Sequence, residues 1–350
     1  MSEDFRKIVQ KEAVEIALSK TSGLLDITMR LGKTKIGLDL ASNFKKVLVS
    51  YPNVKIKDSW INDSIKFNIN IDHIEFTTHL SLVKKNLSLY DCILLDEIQD
   101  VSENQWNYIA LSTYNRLYGL SGTPPNKGEK LQFINNYCPI IYSKKLDETT
   151  GKTNKDYEII VHLLQPSSKK DLPLKSGKFW SEQNKIQFFE NKYTATRNFK
   201  DMLQLIQTIQ NSSTKLNYLK LLVSNLNKCL IFVETAKHCE FLGYPSYQSK
   251  EKNSEQNLND FLNGKINKLL TINQLKAGIT FEDLNEVVIL HCYSSNNKAA
   301  QKLARALNYV ENEKATIHIL CLDNTRDKKW VEQGLSEFQQ NKIKWIKNLN

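Results

Sequence analysis

No apolar run in the 350 residues approaches the roughly 18–20 that a membrane-spanning helix needs. The longest runs are strand-length, such as Cys92-Ile93-Leu94-Leu95. The opening segment, MSEDFRKIVQ, has no apolar signal core, so export is not expected and a cytoplasmic location is. The six cysteines (92, 138, 229, 239, 292 and 321) stand singly in apolar surroundings with no C-x-x-C pair. That excludes a disulfide framework or a zinc site as the basis of the fold and suits a reducing compartment. The six histidines are dispersed without metal-ligand spacing, and neither low-complexity sequence nor a short repeat is present. Ser121 lacks the G-x-S-x-G setting of a hydrolase nucleophile.

What is present is ordinary globular composition, 41% hydrophobic and 25% charged. At about 150 residues per domain, the length implies two domains. Lys and Arg number 48 against 38 Asp and Glu, a net +10, which favours a polyanionic partner such as nucleic acid. The surplus is concentrated. Residues 165–200 carry eight basic side chains against three acidic, interleaved with Phe179, Trp180, Phe188, Phe189, Tyr193 and Phe199. Such a segment can stack bases and meet phosphates, or it can be a solvated helical face whose rings pack inward.

The apolar pattern alternates between short buried runs and helical periodicity. Residues 5–19 read as an amphipathic helix. Strands follow at 23–27, 46–50, 91–95 and 116–120, then at 158–164, 228–233, 268–272, 286–290 and 316–320. Helices are expected after residue 32 to about 43, and at about 214–226, 254–263, 297–307 and 327–340. Lys342, Lys344 and Lys347 around Trp345 are expected to form a helical end. Strands alternating with helices imply parallel sheets. The expected domains are 1–148 and 157–350, joined by a Lys/Asp/Thr/Gly-rich linker at 149–156, with a helical basic-aromatic insertion at about 165–212.

Two strand ends carry recognisable chemistry. Ile27-Thr28-Met29-Arg30-Leu31-Gly32-Lys33-Thr34 is a strand-to-helix turn closing in Gly-Lys-Thr. Backbone N–H groups there can cradle phosphates, Lys33 can reach them, and Thr34 can ligate Mg²⁺. Leu94-Leu95-Asp96-Glu97 places two carboxylates at the end of an apolar strand. Asp96 can hold Mg²⁺ there and Glu97 can polarise an attacking water.

Asp96-Glu97-Ile98-Gln99 resembles the D-E-x-H/Q motif of superfamily 2 helicases, the DEAD-like group, and Ser121-Gly122-Thr123-Pro124 resembles their S/T-A/G-T-P motif. Gln10 resembles the glutamine that reads adenine. Residues 271–279 (Thr-Ile-Asn-Gln-Leu-Lys-Ala-Gly-Ile) resemble the motif ending in a cleft-facing glycine, here Gly278. Residues 301–308 (Gln-Lys-Leu-Ala-Arg-Ala-Leu-Asn) resemble the arginine-finger motif, with Arg305 as the finger and Asn308 where a second arginine is usual. The Met29-Arg30 loop, Pro124-Pro125 and the Thr325–Trp330 tail are most similar to compact bacteriophage-type DNA helicases, relatives of the XPB-like and restriction-translocase groups.

The resemblance implies two tandem RecA-like α/β domains, each a mostly parallel sheet covered by helices. It implies an ATPase with ATP and Mg²⁺ bound in a cleft between the domains by Gln10, Met29, Arg30, Leu31, Gly32, Lys33, Thr34, Asp96, Glu97, Gln99, Gly278, Gln301 and Arg305. Ser121, Gly122 and Thr123 would couple that site to nucleic acid. The strand would be gripped through its phosphates by Pro52, Asn53, Thr77, Thr78, Gln248, Ser249, Lys250, Thr271 and Gln274. Phosphate contacts imply weak sequence preference and steep salt dependence. DNA is favoured as the track of a helicase or translocase, with the chain a monomer and a protein partner supplying targeting. An ATP-switched clamp that hardly hydrolyses, for which Asn308 argues, and an RNA helicase on the same fold are the alternatives.

Overall fold

The computed structural model describes residues 2–28, 31–125, 128–149, 155–173, 179–249, 251–272, 281, 283–293, 313–336 and 338–348. The chain divides into two units, Met1–Asn154 and Lys155–Asn350. No helix among the described residues is long and apolar enough to cross a membrane. All six cysteines are free and buried.

The first unit is built on six parallel strands: β1 (Ser22–Ile27), β2 (Val47–Tyr51), β3 (Ile74–Thr78), β4 (Cys92–Asp96), β5 (Leu117–Ser121) and β6 (Ile140–Lys144). Their order across the sheet is β3-β2-β4-β5-β1-β6. Successive side chains of a strand point to opposite faces. Leu25, Val49 and Leu94 therefore enter a core shared with Val9, Ala13 and Ala17 of the helix Ser2–Leu18. Their neighbours Leu24, Leu48 and Ile93 enter a second core with Trp106 and Ile109 of the helix Glu103–Leu111. Burial on both faces is why these strands read as continuous apolar runs. In register, Asp26 lies beside Ser121 and Leu120 beside Asp96, so β1, β5 and β4 end level with one another.

The second unit has seven parallel strands in the order β11-β12-β10-β13-β14-β7-β15. These are β7 (Asp156–Leu164), β10 (Cys229–Val233), β11 (Ser246–Tyr247), β12 (Lys268–Ile272), β13 (Glu286–Ile289), β14 (Lys314–Leu322) and β15 (Ile343–Asn348). Among the described residues, β8 (Lys170–Pro173) and β9 (Phe179–Ser181) form an antiparallel pair of their own. The fold class expected from the sequence is the one observed: α/β, with a mostly parallel sheet in each unit.

Two details depart from expectation. The terminal lysines lie not on a helix but on and just before β15, which pairs with β7 at the sheet edge. The preceding helix ends at Gly334, followed by a short 3-10 turn, Gln340–Lys342. On that edge Lys344 pairs with Glu158 at 2.5 Å and Lys342 with Asp156 at 2.5 Å, and lysines along an edge discourage pairing with a further strand. The basic-aromatic segment is not wholly helical either. It begins with the β8–β9 pair and continues in the helices Glu182–Thr196 and Phe199–Gln210.

Candidate nucleotide-binding site

The turn after β1 ends at Gly32, which caps the helix Lys33–Ala41 in the left-handed region, at φ 81°. Only glycine takes that conformation without cost. A Cβ there would also stand 2.5 Å from the Gln10 side-chain nitrogen. That nitrogen donates to the Leu31 carbonyl at 2.9 Å, so Gln10, from the first helix, braces the loop. The helix N-terminus presents free N–H groups and the positive end of the helix dipole, a ready seat for phosphate. Thr34 hydrogen-bonds the Asp63 carboxyl, which burial raises.

At the level end of β4, Asp96 is buried at 6% exposure. Its Oδ2 accepts from the Trp60 indole N–H at 2.7 Å and its Oδ1 from the Glu97 backbone N–H at 3.0 Å. Burial and the neighbouring Glu97 charge push its carboxyl above the usual range. Glu97 occupies the left-handed region at φ 51°, an uncommon conformation for a residue with a side chain. Burial pushes its carboxyl up too, but Lys33, 3.6 Å away, and Gln99 outweigh that and hold it below the usual range.

From Glu97 a chain of hydrogen bonds runs to the end of β5. Gln99 Nε2 donates to Glu97 Oε2 at 2.6 Å, Ser121 Oγ donates to Gln99 Oε1 at 2.6 Å, and the Thr123 N–H donates to Ser121 Oγ at 3.0 Å. Lys130 donates to the Gln99 carbonyl at 2.7 Å. His79 buttresses the other side: its Nδ1 meets Ser50 Oγ at 2.7 Å and its Nε2 meets the Asp96 carbonyl at 3.1 Å. Burial lowers its pKa to about 4, so the ring is neutral at pH 7.

The structure thus brings together Gln10, Leu31 and Gly32 at the loop, and Lys33, Asp96, Glu97, Gln99, Ser121 and Thr123 in one network. Sequence reasoning missed Trp60 and His79, which hold Asp96 in place, and Ser50, which holds His79. Met29, Arg30, Lys250, Gln274, Gly278, Gln301, Arg305 and Asn308 lie outside the described residues.

The residues expected to grip nucleic acid divide by exposure. Asn53 is exposed after β2 and Pro52 half-buried; Ser249 is exposed after β11 and Gln248 half-buried. Thr78 is half-buried, and its hydroxyl accepts from the Ser81 N–H at 3.3 Å as the cap of a four-residue helix. Thr77 is 5% exposed and Thr271 fully buried, so those two side chains turn into the protein and present no surface to a phosphate. In the second unit, Lys215, His291 and Asp327 form a fully buried polar cluster at the C-terminal ends of β13 and β14.

Residues 213–309 match the family described as the helicase conserved C-terminal domain. No curated protein matches the chain. Among solved structures, the ATP-dependent Type ISP restriction-modification enzyme LlaBIII bound to DNA is similar over 97% of this chain, with a TM-score of 0.63 and 11% identity. The matched region is 31% of that enzyme's length. The Hef helicase domain of Pyrococcus furiosus is similar over 93% of this chain and 96% of its own, with a TM-score of 0.54 and 15% identity. At these identities the likeness is one of fold, and the chain has the two RecA-like α/β units those structures share.

Proposed function

We propose that this chain is an ATP-dependent motor on nucleic acid, with DNA as its track. The observation that carries the reading is the unbroken series from Lys33 through Glu97, Gln99 and Ser121 to the Thr123 N–H. It joins the phosphate-binding turn to the loop after β5, a path by which a change at one end would be felt at the other. The helicase-family match at 213–309 and the DNA-bound enzyme of similar fold support the choice of partner.

The residues present suit ATP with Mg²⁺. The N-terminus of the helix Lys33–Ala41 would hold the phosphates, and Gln10, already on the loop, would face the base. Lys33 would exchange Glu97 for the terminal phosphate. Glu97, oriented by Gln99, would then take the proton of the attacking water. Asp96 and Thr34 would hold the metal; a buried carboxylate with an acidic neighbour and a raised pKa is a group that a cation relieves. Mg²⁺, when bound, supplies positive charge to the reacting phosphate oxygens. Arg305 would take the γ-phosphate role and Gln301 would help bind the nucleotide, as the helicase resemblance implies, and the Met29-Arg30 loop supports the compact phage-type grouping.

Strand displacement tests this reading. With ATP, the chain should release an annealed or third strand from DNA more readily than from RNA, and Glu97→Gln should abolish release while retaining ATP binding. Nucleotide-dependent affinity for DNA without displacement or phosphate release would replace the motor with a clamp.

A further inference from the structure

The basic-aromatic segment sorts its rings into two sets. On the helix Glu182–Thr196, Ile186, Phe189 and Tyr193 share one face and pack into the core of the second unit. Phe188 lies on the opposite face with Lys185 and Lys192, as helical spacing requires. It is 48% exposed, and its ring sits 5.1 Å from that of Trp180 on β9. Trp180 itself is half-buried, and Phe179, 54% exposed, is its neighbour on the strand and so points to the other face of β9. Core packing thus accounts for Phe189 and Tyr193 and leaves the outward Phe188 ring, backed by Trp180, unexplained.

The surroundings of that ring are cationic. Lys169 and Lys170 are exposed beside β9, and Lys185 lies one helical turn before Phe188. Lys192 is already paired with Asp201 at 2.7 Å. The segment is also firmly rooted. The Glu182 carboxylate accepts from the Ser167 N–H at 3.1 Å and from the Ser213 hydroxyl at 3.1 Å, while Arg326 lies over the Tyr193 ring at 4.9 Å. Finally, it leaves the sheet at the end of β7. Because every strand of that sheet is parallel, this is the same edge at which β11 ends before Gln248 and Ser249.

We propose that Phe188, backed by Trp180 and flanked by Lys185, with Lys169 and Lys170 on the adjoining strand pair, forms a stacking platform for the bases of a single nucleic-acid strand. Rings with a free face accept any base, and lysines beside them accept the phosphates. An apolar protein partner would fit the rings but gain nothing from the lysines; the local surplus of five positive charges selects a polyanion. The proposal deepens the nucleic-acid reading above and rests on it.

The test is fluorescence anisotropy of the full chain without nucleotide, using oligothymidylate, oligouridylate and an abasic deoxyribose-phosphate oligomer of equal length. Phe188→Ala and Phe188→Leu should each weaken binding to the two base-bearing oligomers by about fivefold or more and leave the abasic oligomer unaffected. Lys169→Gln with Lys170→Gln should weaken all three and lower the salt dependence of binding by about 0.7 of a unit of log–log slope per lysine. These exposed positions lie outside the nucleotide site, so phosphate release without nucleic acid should not change. Wild-type affinity of the ring variants for oligothymidylate would overturn the platform while leaving the motor reading intact. So would equal losses on the base-bearing and abasic oligomers, or ring variants that alter only self-association. Failure of the wild-type chain to bind any oligomer would overturn both.

Discussion

Replacing Lys215 should unfold the second unit far more easily, and replacing its partner as well should largely undo the damage. Lys215, on the helix Ser213–Asn225, and Asp327, on the helix Arg326–Gly334, are both fully buried, with Nζ 2.8 Å from Oδ2. The same oxygen accepts the Leu322 N–H at 2.9 Å, and His291 Nδ1 stands 3.4 Å from Oδ1. Burial pushes the Asp327 carboxyl up, but Lys215 and His291 outweigh it and hold it down at about 2. Lys215→Met would strand that carboxylate in the core, a loss of about 3–5 kcal/mol for a buried pair broken from one side. With a urea dependence of about 2 kcal/mol per M, the midpoint should fall by about 1.5–2.5 M. Lys215→Met with Asp327→Leu removes both charges and should return stability to within about 1 kcal/mol of the native chain, or above it. Urea unfolding, with hydrogen exchange of the two helices to assign the transition, measures both. A single-variant shift below about 0.5 M, or a double variant whose losses simply add, would refute the reasoning.

Four further outcomes follow from the nucleotide site. Gly32→Ala, forced into the left-handed region and against Gln10, should cost about 1–2 kcal/mol of stability and weaken binding of a fluorescent ATP analogue about tenfold. Gln99→Ala removes a charge-assisted hydrogen bond worth about 1.5–3 kcal/mol, so phosphate release should drop tenfold or more. Ser121→Ala should diminish the response to nucleic acid more than release without it, which paired assays with and without DNA would show. His79 has a folded pKa of about 4 against an ordinary 6.5, so the unfolded chain takes up the proton first. Stability of the first unit should therefore fall as pH drops from about 6.5 to about 4, by about 1.4 kcal/mol per pH unit from this ring, and His79→Gln should remove that component of the slope in urea titrations.

Much of the architecture was legible because its signals are local. A strand buried on both faces is a short apolar run, and the chemistry sits where such runs stop, at Gly32-Lys33 and Asp96-Glu97. Contacts between distant segments were not legible. Trp60 reaches Asp96 across 36 positions and His79 reaches the Asp96 carbonyl across 17, and no spacing rule links them. Thr77 and Thr271 are buried because residues of both parities are covered on β3 and β12, which a hydroxyl in the sequence does not announce. Residues 343–348 are too short a run for period alone to separate helix from strand, and pairing with β7 settles the matter. In the basic-aromatic segment the alternatives of packing and exposure both hold, for different rings, because one helix presents aromatic side chains on two faces.

The central claim is tested most directly by phosphate release from ATP with no nucleic acid, single-stranded DNA, duplex DNA and RNA, with Lys33→Ala and Glu97→Gln alongside. Release stimulated by a DNA form and abolished in both variants is expected. Absence of release under every condition, or release that survives the loss of Glu97, would contradict it.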